Sequence, residues 1–226
     1  MSRKQRSSQK KSQKSPIKPA RKKLKAKTEN QEHYIIDMAE SDVTFCSGPA
    51  GSGKTAVAVG MACEYILEEK VEKIIITRPV VESGRGIGFL PGSLNEKVHP
   101  YMVPIIEEMK LYLGMETYNS MRATNTIEIC PLEYMRGRNF HNTFMILDEA
   151  QNATFEQIKM FMTRIGIGSK AVVNGDLDQT DLRGEQSGLR HIMDALTDLS
   201  GVAIAYLNND DIVRNGIISK ILTRLR

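Results

Sequence analysis

A chain of 226 residues with 41% hydrophobic content is long enough for one domain with a real core and too short for two of ordinary size. Its net charge of +4 hides two unlike parts: residues 1–28 hold 12 of the 31 Lys and Arg and none of the 27 Asp and Glu, which leaves the remainder at −8. No apolar stretch of secretory-signal length stands in that tail, and no later segment is long and apolar enough to span a bilayer as a helix, so a soluble, cytoplasmic protein is expected rather than a secreted or membrane one.

The tail, "MSRKQRSSQKKSQKSPIKPARKKLKAKT", has almost nothing to bury and cannot offset its ordering entropy, so residues 1–28 are expected to be a disordered basic arm and residues 29–226 the folded domain. Beyond it, short β-branched runs alternate with segments of helical period. The strand candidates are "VTFC", "KIIITR", "TIEIC", "TFMILD", "KAVVNGD" and "VAIAYL". This is the pattern of a parallel α/β sheet flanked by helices. Thr55 to Glu68 is apolar nearly all round, as a helix buried behind a sheet should be. Thr154 to Ile165 carries Phe155, Ile158, Met162 and Ile165 on one face, with Thr154 and Gln157 at capping-box spacing. Ile217, Ile218, Ile221, Leu222 and Leu225 draw an apolar stripe on a last helix. Residues 79–100, "PVVESGRGIGFLPGSLNEKVHP", are too rich in Gly and Pro for either regular element. Cys46, Cys63 and Cys130 form no CxxC pair and read as reduced core thiols, and His33, His99, His141 and His191 show no metal-ligand spacing.

The strongest local signal is "GPAGSGKT", which fits G-x-x-x-x-G-K-S/T at Gly48, Gly53, Lys54 and Thr55. It follows one strand candidate and opens a helix. The backbone of Gly48, Pro49, Ala50, Gly51, Ser52, Gly53, Lys54, Thr55 and Ala56 is therefore expected to cradle a polyphosphate at the positive end of a helix dipole. Lys54 would bridge the β and γ phosphates, and the Thr55 hydroxyl would ligate Mg2+, a hard oxygen on a hard cation. ATP and Mg2+ are the implied cofactors.

"TFMILDEAQ" places Asp148 and Glu149 at the end of a strand, where parallel strands face their ligand. Asp148 suits the magnesium site and Glu149 can polarise an attacking water. A small-molecule P-loop kinase has no need of such a base, so the adjacent pair favours ATP hydrolysis. "VVNGDLDQTDL" ends the next strand with Gln179, able to contact the γ-phosphate or the water; Asn-Gly-Asp is equally an ordinary turn.

Taken in order, "GPAGSGKT", "TRPVVESG", "GFLPGSLNEK", "RGR", "LDEAQN", "MFMTRIGIGSK", "GDLDQTDL", "SGL" and "DIVRN" resemble the PhoH family of ATPases over about residues 28–226. The resemblance implies a single RecA-like P-loop domain similar to the motor domains of superfamily-1 helicases, with RNA-related activity in some members. It gives Gln31 the role of an adenine-reading glutamine, a residue otherwise read as helix surface. It makes Gln179 a γ-phosphate sensor and Arg214 an arginine that stabilises transferred phosphate. Asn215 stands where the family usually has histidine, and Arg183 follows "DL" where proline is common.

A superfamily-1 helicase sets ATP between two RecA-like domains, the second supplying an arginine. With one such domain expected here, the resemblance implies a homo-oligomer, a hexameric ring, in which Arg136, Arg138 or Arg214 reaches a neighbour's site. It also places Thr77 and Arg78 where helicase-like domains contact a single-stranded RNA or DNA backbone; Arg85, a further candidate for that contact, stands beside Ile87, Phe89 and Leu90 in a mix suited equally to a pore loop or to a subunit interface. The rival reading is a nucleotide-dependent oligomeric scaffold or switch with little turnover.

Overall fold

The computed structural model describes residues 22–79, 94–182, 186–213 and 224. Six strands form one sheet, all neighbours parallel, in the order β3-β2-β4-β5-β1-β6. They are β1 (Val43–Ser47), β2 (Lys73–Arg78), β3 (Ile127–Pro131), β4 (Thr143–Leu147), β5 (Lys170–Gly175) and β6 (Val202–Tyr206). Each strand candidate of the sequence is therefore a strand, and the sheet is wholly rather than mostly parallel.

Helices cover both faces. On one side lie α1 (Glu29–Glu40), α2 (Lys54–Leu67), α3 (Leu94–Leu113) and α4 (Met115–Ala123). On the other lie α5 (Phe155–Met162) and α6 (Leu189–Leu196). The side chains of β2 show how the layers are fed: Ile74 and Ile76 join the core under α2 and α3, Ile75 joins the core under α5, and none of the three is exposed. A strand buried on both faces reads as an unbroken apolar run, and each such isoleucine contributes about 1.5–3 kcal/mol of burial. The capping box expected at Thr154 and Gln157 is present and starts α5.

Two expectations are corrected. The irregular segment set at residues 79–100 ends earlier, because α3 begins at Leu94 and continues through Pro100 and Pro104. Each proline removes a helical N–H, but Met102, Ile105, Met109, Tyr112 and Leu113 are buried along the same helix, and packing outweighs local propensity. The folded body also takes in residues ahead of Glu29. Lys22 N donates to Leu111 O at 3.1 Å, Leu24 packs on the core, and the Thr28 side chain caps α1. The apolar Leu24 and the capping Thr28 are what tie this stretch to the domain. The expected last helix over 217–225 lies outside the described residues apart from Arg224.

All strands being parallel, their carboxyl ends share one edge of the sheet. That edge brings together the ends of β1, β2, β4, β5 and β6 although they are far apart in sequence.

Candidate nucleotide site

The loop after β1 is shaped by close approach. A Cβ on Gly48 would stand 2.7 Å from Leu207 O, at the end of β6, and Gly48 N donates to Gly175 O at 3.2 Å, at the end of β5. Gly53 has φ +95°, a left-handed conformation that glycine adopts without strain. Its Cβ would also meet Gln31 Nε2 at 2.7 Å. The chain then turns directly into α2, whose first residues are Lys54 and Thr55.

The Lys54 ammonium donates to Gly48 O and to Pro49 O, the latter at 3.0 Å. Thr55 Oγ1 donates to Asp148 Oδ1 at 2.8 Å, so the first turn of α2 meets the end of β4. Asp148 is buried, and its carboxyl is pushed up to about 6, chiefly by that burial and next by the charge of Glu149; the Thr55 hydroxyl, Arg78 and Lys54 pull the other way. Its backbone N–H donates to Thr77 O at 2.9 Å.

Glu149 departs from the strand with φ 56° and ψ 41°, a left-handed conformation that costs a non-glycine residue on the order of 1 kcal/mol. Its Oε2 accepts from Gln151 Nε2 at 2.5 Å, and its Oε1 lies 3.3 Å from Arg78 Nη2. Gln151 Oε1 in turn accepts from Asp176 N at 3.1 Å, tying this turn to the end of β5. Gln179 follows in that loop, exposed, with its N–H on Asp176 O at 3.3 Å. It lines a cavity of about 370 Å3 together with Gly48, Pro49, Arg190, Tyr206 and Asn208.

Gln31 is not on the helix surface. It is buried, Nε2 donating to Ser52 O at 2.8 Å and Oε1 accepting from Lys27 N at 3.0 Å, so α1 is fastened to the phosphate loop. One turn on, Tyr34 OH donates to Asn174 Oδ1 at 2.7 Å, and burial raises the phenol far above its ordinary range.

The edge therefore collects Gln31, the loop from Gly48 to Ala56, Arg78, Asp148, Glu149 and Gln179. Thr77 does not join them as an outward contact: it is fully buried, and its hydroxyl has no hydrogen-bond partner among the described residues. A hydroxyl in that position is closed to the phosphate of an outside strand, which corrects the expectation for this residue. A strand buried on both faces carries no alternation that would have revealed it. Arg138 forms a two-pronged pair with Glu128, at 2.6 and 2.7 Å, beside Lys73 at the opposite edge. Arg136 is exposed. Arg85 and Arg214 lie outside the described residues. Gln151, Tyr34, Asn174 and Arg190 were not singled out from the sequence; only Gln151, two residues beyond Glu149, had a local signal.

A parallel sheet with helices on both faces and a glycine-rich loop between β1 and α2, facing an aspartate just after β4, defines a P-loop NTPase. The chain belongs to the family described as PhoH-like protein, whose model matches residues 23–226. It is 44% identical over 200 residues to the PhoH-like protein of Synechocystis sp., covering 88% of this chain and 61% of that one. It is 43% identical over 202 residues to the PhoH-like protein of Bacillus subtilis (89% and 63%) and 38% identical over 200 residues to protein PhoH of Escherichia coli (87% and 56%). The chain thus spans about three fifths of the length of these relatives. Among solved structures, the large terminase of a thermophilic bacteriophage shares the fold, with TM-score 0.54, 12% identity and coverage of 88% of this chain and 50% of that one. The same terminase has also been solved in complex with ADP. Among the described residues no helix is long and apolar enough to cross a membrane.

Proposed function

We propose that this chain is a cytoplasmic, Mg2+-dependent ATPase whose turnover is coupled to single-stranded RNA or DNA. The observation that carries the reading is the convergence of Lys54, Thr55, Asp148 and Glu149 at one edge of the sheet. The ADP complex of the terminase, a protein of the same fold, supports the choice of nucleotide.

The donor set suits magnesium. Thr55 Oγ1 and Asp148 Oδ1 are hard oxygens already 2.8 Å apart, and magnesium commonly takes one or two protein oxygens together with substrate phosphates. Bound there, the ion would neutralise charge building on the phosphate oxygens. Asp148, raised chiefly by burial and next by Glu149, is a carboxyl whose charged form a divalent cation would favour.

In the proposed reaction, Lys54 leaves the loop carbonyls for the phosphates while the loop N–H groups hold them. Glu149 orients a water and takes its proton as the water oxygen bonds to the γ-phosphorus. The bond from that phosphorus to the bridging oxygen breaks, and ADP and inorganic phosphate leave. Gln179 contacts the γ-phosphate or the water, and Gln31, bonded to the loop, reads the adenine. Arg78 and Arg85 meet the backbone of a strand, and the basic residues that precede Lys22 add sequence-blind attraction that salt weakens. The working form is a homo-oligomer, a hexameric ring, with an arginine supplied between neighbours.

The test is steady-state ATP turnover across single-stranded and duplex RNA and DNA, with oligomeric mass measured on the same sample. Turnover stimulated by a strand is expected. Tight ATP binding with negligible turnover under every condition would favour the scaffold reading instead.

A further inference from the structure

Both oxygens of Glu149 are engaged, and the two partners differ in kind. Gln151 is 5% exposed and fixed on three sides: its Nε2 on Glu149, its Oε1 under Asp176 N, its backbone O under Thr180 Oγ1. Arg78 is looser. Its side chain keeps 25% of its exposure, its contact with Glu149 is an ion pair, and its guanidinium donates a hydrogen bond only to Tyr101 O, at 3.2 Å, among the described residues.

The sheet sets this meeting. β2 and β4 are neighbours with Thr77 level with Leu147, so Arg78 and the pair Asp148–Glu149 leave adjacent strand ends. The guanidinium spans from Glu149 to the backbone of α3. A half-exposed ion pair at 3.3 Å is weak, whereas a phosphate diester offers a guanidinium charge-assisted, two-pronged bonds. An anionic strand along this edge therefore competes for Arg78 on favourable terms.

We propose that Arg78 restrains Glu149, and that a backbone phosphate of single-stranded nucleic acid releases it by drawing the guanidinium away. Held by Arg78, the Glu149 carboxylate is drawn toward the end of β2 with Oε1 occupied. Freed, it remains on Gln151 alone and can turn Oε1 to the attacking water. Arg78 is thus a positioning residue that joins the strand contact to the reaction. The inference rests on the reading of Glu149 as the base, and its release step rests also on the nucleic-acid reading.

The experiment uses the full chain and compares wild type with Arg78→Ala, Arg78→Gln, Glu149→Gln and the double variant Arg78→Ala/Glu149→Gln. ATP turnover is measured with and without oligouridylate and oligothymidylate, after thermal unfolding shows each variant folded. Arg78→Ala and Arg78→Gln should each raise basal kcat about fivefold, the factor set by losing one weak pair, with KM for ATP little changed. Strand stimulation should fall to nearly nothing. The gain should vanish in the double variant, a result that a merely structural role for Arg78 does not give. Basal rates at or below wild type in both single variants would overturn the restraint, as would a gain that survives Glu149→Gln. Full stimulation in Arg78→Ala would overturn the release. Two other failures are separable from these: near-normal turnover in Glu149→Gln sinks the base assignment, and a wild-type protein that neither strand stimulates sinks the nucleic-acid reading and the release while a raised Arg78→Ala rate keeps the restraint.

Discussion

Thr55 and Asp148, 93 residues apart in sequence, meet through a 2.8 Å hydrogen bond between hydroxyl and carboxylate. The bond presents two hard oxygens side by side beneath the phosphate loop. Replacing Asp148 by Asn keeps the size and an acceptor but removes the charge. ATP affinity should then lose most of its dependence on Mg2+, with metal-supported binding falling about 10- to 100-fold. Nucleotide titrations with and without Mg2+ measure this, and an unaltered Mg2+ effect would move the metal away from Asp148.

Glu149 is held in a left-handed backbone conformation by the turn that follows it, the kind of strain that persists where the surrounding contacts enforce it. Glu149→Gln preserves shape and leaves the phosphate loop untouched. ATP binding should remain, and single-turnover hydrolysis should slow by at least about a hundredfold, the scale of losing a general base. A rate within a few-fold of wild type would assign the base elsewhere.

Glu128 makes a different, structural prediction. Arg138 above all, helped by Lys73 and opposed by partial burial, holds its carboxyl down from 4.5 to about 2. A depressed carboxylate contributes stability that is complete above its unfolded value and lost as pH falls through its folded one. Glu128→Gln should therefore destabilise the protein at neutral pH by about 1–2 kcal/mol, allowing for solvent screening at the partly exposed Arg138. Between about pH 4.5 and pH 2 the difference from wild type should close. Denaturant unfolding across that range checks it, and a difference that does not vary with pH would remove the ionic explanation.

How legible these features were depended on whether they are local. The six strands announced themselves because apolar β-branched runs such as Ile74–Ile75–Ile76 have few other uses, and the loop from Gly48 to Thr55 because glycine spacing encodes its geometry. The same buried runs concealed Thr77, since a strand covered on both faces has no period to show which side chains point where. Gln31 looked like surface because its neighbours Asn30 and Glu32 are polar, yet its burial is created by Ser52, across the phosphate loop. The hold of Arg78 and Gln151 on Glu149 arises from three chain segments meeting at the sheet edge, and no spacing within one segment carries it. The start of α3 was hidden by Pro100 and Pro104, whose cost is met by side chains further along the helix.

The last prediction concerns the arginine that a neighbour would lend. Of the described candidates, Arg138 is committed to Glu128 by two short bonds at the edge opposite the phosphate loop, and withdrawing it would leave that partly buried carboxylate to Lys73 alone. Arg136 is exposed and has no such partner among the described residues, so it is the better placed of the two to cross an interface. A finger of this kind supplies about 10³-fold or more in rate by neutralising transition-state charge. Subunits carrying Lys54→Ala are inactive but keep Arg136, whereas subunits carrying Arg136→Ala keep their phosphate loops. Mixed in one oligomer, each arrangement restores some sites, so activity above the sum of the separate variants is expected; the same mixture with Arg214→Ala is the companion measurement. Recovery with Arg214→Ala but not with Arg136→Ala would transfer the role. No recovery in either mixture, with subunit exchange verified by mass, would rule out both, and a dilute monomer with full specific activity would remove the shared site altogether.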